Sequence, residues 1–330
     1  MKIWPLLFVV ALGSGITPRS TAQVSPGLPV TYEELETIIV TGERPGPALW
    51  KVSRKGNTLW ILPTFGPLPE GLIWRSTQLE AVIQQSQEIY FLTHISAPQN
   101  PGNDARLLQA VQNLDGRQLR DVMPADLYRQ FSDLAQRYAG DSRAFESFRP
   151  FVATDALRQV AMQRLRLTSE RVVPATVQDL ARQRGVKNVS AVLRDNRDWD
   201  RMISELAKTP READIPCARA RLDRLETDLR ESVARANAWA RGDLETLRQD
   251  PGLYIAQADA EICARSFRQL KVTRARNLGL RKVSYSWSVR ALKKNRSTLI
   301  LVPVATFFDT DGLLSKFKAA GYEVEQPPLH

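Results

Sequence analysis

The sequence is poor in the residues on which most metal and nucleophile chemistry depends. Its 330 residues include two cysteines, Cys217 and Cys263, and two histidines, His94 and His330. Two cysteines are too few for a disulfide scaffold, a zinc finger or an iron–sulfur cluster. A Ser-His-Asp triad would have to draw on His94 or His330, and no Gly-x-Ser-x-Gly elbow occurs. Neither a P-loop nor a Gly-rich dinucleotide fingerprint follows a strand-like segment. Long apolar runs are missing as well. Ile3 to Leu12 is apolar, but a hydrocarbon core needs about 20 such residues, and no later stretch comes nearer.

Against these absences stands an ordinary globular composition. Hydrophobic residues make up 43% and charged residues 25%, enough to bury a core and too balanced for a disordered or collagenous chain. The length suits one large α/β domain or a domain with a helical insertion. Lys and Arg number 46 against 36 Asp and Glu, for a formal charge of +10. That excess fits an anionic partner. It fits equally an arginine-rich composition with no such partner, because the arginines are spread among acids along the chain.

Residues 1–22 have the layout of a secretory signal peptide: Lys2, the apolar run, then Ser20-Thr21-Ala22 with small residues where a signal peptidase reads. Cleavage is expected after Ala22. Removing Lys2 and Arg19 takes the net charge from +10 to +8. The mature chain is expected to be periplasmic or secreted, with no transmembrane segment. In an oxidising compartment Cys217 and Cys263 are expected to pair, the alternative being two separate buried thiols.

Residues 23–47 read as a linker punctuated by Pro and Gly, within which Glu36–Thr41 has strand composition. Leu49–Ser53 and Thr58–Leu62 form a β-hairpin, with Gly56 and Asn57 as the positive-φ positions. A helix over Thr77–Ser86 opens with the capping box Thr77-x-x-Glu80. Glu88–Thr93 reads as a strand buried on both faces. The middle, about 103–290, is mostly helical, with stripes such as Leu127, Phe131, Leu134 and Tyr138, or Leu222, Leu225, Leu229 and Val233. Pro150 begins a helix, Val177–Arg184 is another, and Val186–Val192 has strand character. The end carries strand Ser297–Pro303, helix Gly312–Ala320 and strand Tyr322–Glu325. The expected fold is α/β (α+β): one mixed sheet built from both chain ends, flanked by helices, with a large helical block between.

Three segments carry a family resemblance. They are Ala48–Ser96, with LWKV…NTLWILPTF…W…LEAVIQQSQEIYFL; Ala238–Leu244, AWARGDL; and Thr298–Val324, TLILVPVATFFDTDGLLSKFKAAGYEV. In this order they resemble the TraB/GumN family, which includes the Tiki proteases. The resemblance implies a single domain over 48–330 made of two related halves. Each half presents a strand ending in Gly-x-x-His, and an acidic residue ends a following strand. Together these would hold a divalent metal for hydrolysis, with one position left for water.

This chain departs from that pattern at each of the three places. The first Gly-x-x-His falls on Pro63, Thr64, Phe65 and Gly66, so glycine replaces the imidazole. The acidic position falls on Leu92. The second motif falls on Pro303, Val304, Ala305 and Thr306, where a hydroxyl replaces the imidazole. The expectation is a metal-free, cofactor-free relative that acts by binding an envelope protein, a peptide or an acidic polysaccharide, and no nucleic acid. A rebuilt hydrolytic centre would have to use Thr64, His94, Thr306 and Asp309. Glu88, the nearest acid to Leu92, reads as lying before its strand. Asp309-x-Asp311-Gly312 lacks most ligands of a calcium loop and reads as a turn. Trp60, Trp74, Trp239 and Trp287 read as core or as the wall of a sugar cleft.

Overall fold

The computed structural model describes residues 46–91, 101–113, 116–169, 171–190, 196–252, 261–263, 265, 271, 285–307 and 313–327. The expected signal peptide, the Glu36–Thr41 segment and nearly all of the expected 23–47 linker lie outside them. The described strands are β1 (Trp50–Arg54), β2 (Asn57–Thr64), β3 (Glu88–Phe91), β4 (Lys187–Ser190), β5 (Ser297–Pro303) and β6 (Glu323–Glu325). The named helices are α1 (Thr77–Gln85), α2 (Pro101–Val111), α3 (Leu119–Val122), α4 (Ala125–Ala139), α5 (Pro150–Arg164), α6 (Val172–Gln183), α7 (Asn196–Lys208), α8 (Ile215–Ala240), α9 (Leu244–Gln249), α10 (Val304–Phe307) and α11 (Leu313–Ala319). Residues 285–294 are helical as well.

One six-stranded mixed sheet, ordered β4-β3-β5-β2-β1-β6, is assembled from both ends of the chain as expected. β2, β5, β3 and β4 are parallel, and β1 runs antiparallel to both β2 and β6. The parallel strands read as unbroken apolar runs because helices cover both faces. Leu59, Ile61, Leu62, Ile89, Leu299 and Ile300 are completely buried.

The hairpin turn lies one residue earlier than the sequence suggested. Arg54 pairs with Asn57, so the two-residue loop is Lys55-Gly56, with φ of 52° and 80°. Two positive φ values give the strand twist that a primed turn requires, and Lys55 adopts one of them without glycine's freedom. Helix α1 is also capped one residue earlier. Ser76 Oγ accepts Leu79 N at 3.2 Å, while Glu80 turns outward to Arg75 and Arg184. Helix α6 starts at Val172, five residues before the expected Val177, because Val173 and Val177 both pack into the core.

The helical middle has a core of its own. Leu127, Phe131, Val152, Leu157, Ile203, Leu222, Leu225 and Leu229 are buried together there, apart from the sheet core. Helix α8 serves both. Its 26 residues, about 39 Å long, bury Leu222 to Val233 in the helical core and Ala236 to Ala240 in the sheet core. The start of α8 is tied down twice. Arg149, fully buried, makes a two-pronged ion pair with Asp214 at 2.7 and 2.9 Å and donates to Leu206 O at 3.0 Å. Desolvation pushes the Asp214 carboxyl up, against the pull of Arg149. Cys217 and Cys263 form a disulfide, so the paired reading holds and the separate-thiol reading does not. Among the described residues, no helix is long and apolar enough to cross a membrane.

Candidate functional site

Pro63, Thr64, Gly66, Pro303 and Thr306 fall at one end of the parallel strands, where ligands of open α/β sheets bind. β2 ends at Thr64 and β5 at Pro303, and the two are register partners. So are Pro63 and Val302. On the other side of β5, β3 ends at Phe91 opposite Leu301. Gly66 lies two residues beyond β2, and Thr306 lies in the helical turn α10, which follows β5 directly. The two short motifs, more than two hundred residues apart in sequence, are therefore neighbours. Leu92, His94 and Asp309 lie outside the described residues.

Thr64 is buried, and its Oγ1 donates to Val302 O at 3.4 Å across the strand pair. The floor of this end is aromatic. Trp239, completely buried, donates its indole N–H to Pro63 O at 2.7 Å and packs on Trp74 at 5.5 Å between ring centres. Trp50 meets Phe307 at 5.4 Å. Trp74 and Trp239 are thus core side chains rather than the wall of a sugar cleft, and Trp60 and Trp287 pack half-buried against the same core. The loop after β2 is held by Leu68 N donating to Thr168 Oγ1 at 2.9 Å and Thr168 N donating to Leu68 O at 2.8 Å.

The segment AWARGDL proves to be a local structural unit. Trp239 secures the end of β2. Gly242, at φ 77°, sits where a Cβ would come within 3.2 Å of Gly46 O, so its lack of a side chain permits a close backbone crossing. Asp243 caps α9 by accepting Thr246 N at 3.0 Å and Thr246 Oγ1 at 2.6 Å. Trp239 was read from the sequence only as a core or cleft tryptophan. Nothing in the sequence signalled that its N–H reaches the strand end.

Glu88 begins its strand, as the expected range Glu88–Thr93 implies, rather than preceding it. It opens β3 and is 4% exposed. It therefore lies at the opposite end of the strand from the site, about 10 Å away along β3. Lys187 Nζ at 2.8 Å and Lys294 Nζ at 3.0 Å share its Oε1, while the Tyr90 hydroxyl and Asn295 Nδ2 donate to Oε2, both at 2.9 Å. Burial alone would raise the Glu88 carboxyl, but these four donors outweigh it and bring its pKa down to about 2. Burial and then the Glu88 hydrogen bond push the Tyr90 hydroxyl up to about 12. These groups keep their charge states through the neutral range and lie at the wrong end to act with Thr64.

A divalent ion at the strand ends would need imidazole and carboxylate donors. The chain places glycine, leucine and threonine at the positions the resemblance assigns to them. Among the described residues no group of three or more His, Cys, Asp or Glu could hold a metal ion. The described residues at these strand ends do not fit a metal.

With this geometry in place, the comparisons agree with the resemblance. The model of the TraB/PrgY/gumN family matches residues 48–326. No curated protein and no solved structure matches the chain. The match covers most of the sequence, and the chain belongs to the TraB/PrgY/gumN family.

Proposed function

We propose that this chain is an exported TraB/PrgY/gumN family protein that has given up metal-dependent hydrolysis and acts in the cell envelope by binding. The observation that carries the reading is the pairing of Thr64 with Pro303. It sets side by side the two strand ends at which the family motif would place its histidines, and in this sequence those positions are Gly66 and Thr306. Around them stand aromatic rings and one buried hydroxyl, and no described carboxylate or imidazole accompanies that hydroxyl as a base. With no described group at the strand ends able to move a proton, a binding role is favoured over catalysis. Export rests on the apolar run after Lys2 with cleavage after Ala22, and the disulfide is the state expected where thiols are oxidised.

The test is metal loading of the purified mature chain with manganese, cobalt and zinc in turn. Each is followed by equilibrium dialysis and by hydrolysis of a mixed peptide library. The expected result is no stoichiometric uptake and no cleavage. Tight one-to-one binding of any of the three ions, with metal-dependent cleavage, would overturn the reading.

A further inference from the structure

The end of the sheet opposite the strand-end site carries a concentration of positive charge. Here β2, β3, β4 and β5 begin, and β1 finishes in the Lys55-Gly56 turn. Arg54, Lys55, Lys187, Lys293, Lys294 and Arg296 all lie at this end, and all are exposed. Their places are fixed by contacts. Asn57 Nδ2 donates to Leu292 O at 2.8 Å, beside Lys293. Arg296 N donates to Gln87 Oε1 at 2.6 Å, and Arg296 O accepts Thr58 N at 2.9 Å. Lys187 and Lys294 converge on Glu88 Oε1. The six cations follow the row β1-β2-β5-β3-β4, four strand spacings or about 19 Å.

Glu88 is buried beneath its lysines, and Glu323, at the margin, accepts the Ser53 hydroxyl at 3.0 Å. Lys55, Lys293 and Arg296 form no ion pair with a described residue. Elsewhere arginines are paired across the surface, as in Arg117–Glu212, Arg219–Asp126 and Arg248–Glu245. A row of six cations of which two share the one buried carboxylate of Glu88 attracts a multivalent anion from solution.

We propose that this pole is a docking surface for an acidic polysaccharide, a sugar chain bearing carboxylates at intervals. The disulfide places the protein where thiols oxidise, away from the compartments that hold nucleic acid. The one large apolar side chain exposed among the described residues, Ile73, follows β2 at the other end of the sheet. The pole therefore offers nothing to insert into lipid and no exposed ring for bases to stack on. Lysine ammonium groups act as mobile point charges, suited to carboxylates repeated along a flexible chain. The surface is separate from the strand-end site and does not depend on how that site functions.

The test uses the mature, oxidised protein and alginate as the probe, in about 20 mM salt, where screening is weak. The triple variant Lys55→Glu/Lys293→Glu/Arg296→Glu leaves both Glu88 pairs intact. A control triple, Arg120→Glu/Arg129→Glu/Arg164→Glu, makes the same change of charge on exposed residues of the helical block. Circular dichroism establishes that both are folded. The expected result is salt-sensitive binding by the wild type, a loss of about tenfold or more in the pole variant, and a much smaller loss in the control. Equal loss in both triples, no binding by the wild type, or pole-dependent binding that favours anionic lipid vesicles or single-stranded DNA over alginate would each overturn the proposal.

Discussion

The substitution Glu88→Gln removes one negative charge from beneath two lysines while keeping size and some hydrogen bonding. In the folded protein the carboxyl has a pKa of about 2 against an ordinary value of 4.5. A depressed folded pKa means that the ionised form stabilises the fold above pH 4.5, and that this contribution is lost as pH falls from 4.5 towards 2. The shift corresponds to about 3 kcal/mol. Lys187 and Lys294 are more than half exposed, so solvent screening reduces their share and about 2 kcal/mol is the working figure. Urea unfolding of wild type and Glu88→Gln, at pH 7 and again at pH 3, measures it. The variant should be less stable by about 2 kcal/mol at pH 7, with the gap narrowing at pH 3. Raising salt should narrow the gap at pH 7 as well. Equal stability at pH 7, or a gap of constant size across the two pH values, would refute the account of Glu88 as an ionised tie between β3, β4 and the chain entering β5.

Three further outcomes can be checked by the same unfolding measurements. Asp214→Ala should cost about 3–5 kcal/mol, because it leaves the buried Arg149 without its partner; the double variant Arg149→Met/Asp214→Leu should recover part of that loss. Cys217→Ser/Cys263→Ser should lower stability by about 4 kcal/mol on the loop-entropy account for a 46-residue separation, and reductant should then have no further effect. Lys55→Asn should raise stability by about 0.5–1 kcal/mol, since asparagine tolerates the positive φ of the hairpin turn better than lysine.

Much of the sheet was legible because its signals are local. Alternation and a Gly-containing turn announced the β1–β2 hairpin, and the runs Glu88–Thr93 and Ser297–Pro303 announced buried parallel strands, the first described as far as Phe91. The errors were of register. Thr77 with Glu80 satisfies the capping-box pattern, whereas Ser76, followed three residues on by Leu79, is a plain N-cap, and tertiary contacts decide between them: Glu80 is drawn away by Arg184, 104 residues distant. The hairpin turn likewise shifted by one because the pairing of Arg54 with Asn57 set the loop, and that pairing is fixed by side chains on the neighbouring strands rather than by the turn's own residues.

The candidate site was legible in position and illegible in content. That Gly66 and Thr306 follow the ends of neighbouring strands could be expected from two related halves of one fold, since parallel strands in adjacent register bring their ends together. The indole of Trp239 at Pro63 could not, because its reach depends on the length of α8 and on where that helix crosses from one core to the other. The same holds for Glu88. A glutamate before an apolar run looks like a solvated strand entrance, yet Lys187 comes from β4 and Lys294 from the other end of the chain. Burying that carboxylate lets β3, β4 and β5 begin side by side beneath a surface on which positive charge is in excess. Without it, Lys187 and Lys294 would repel across a strand junction. The basic pole and the stability of the sheet are thus linked through one side chain, a relation that spacing along the sequence does not contain.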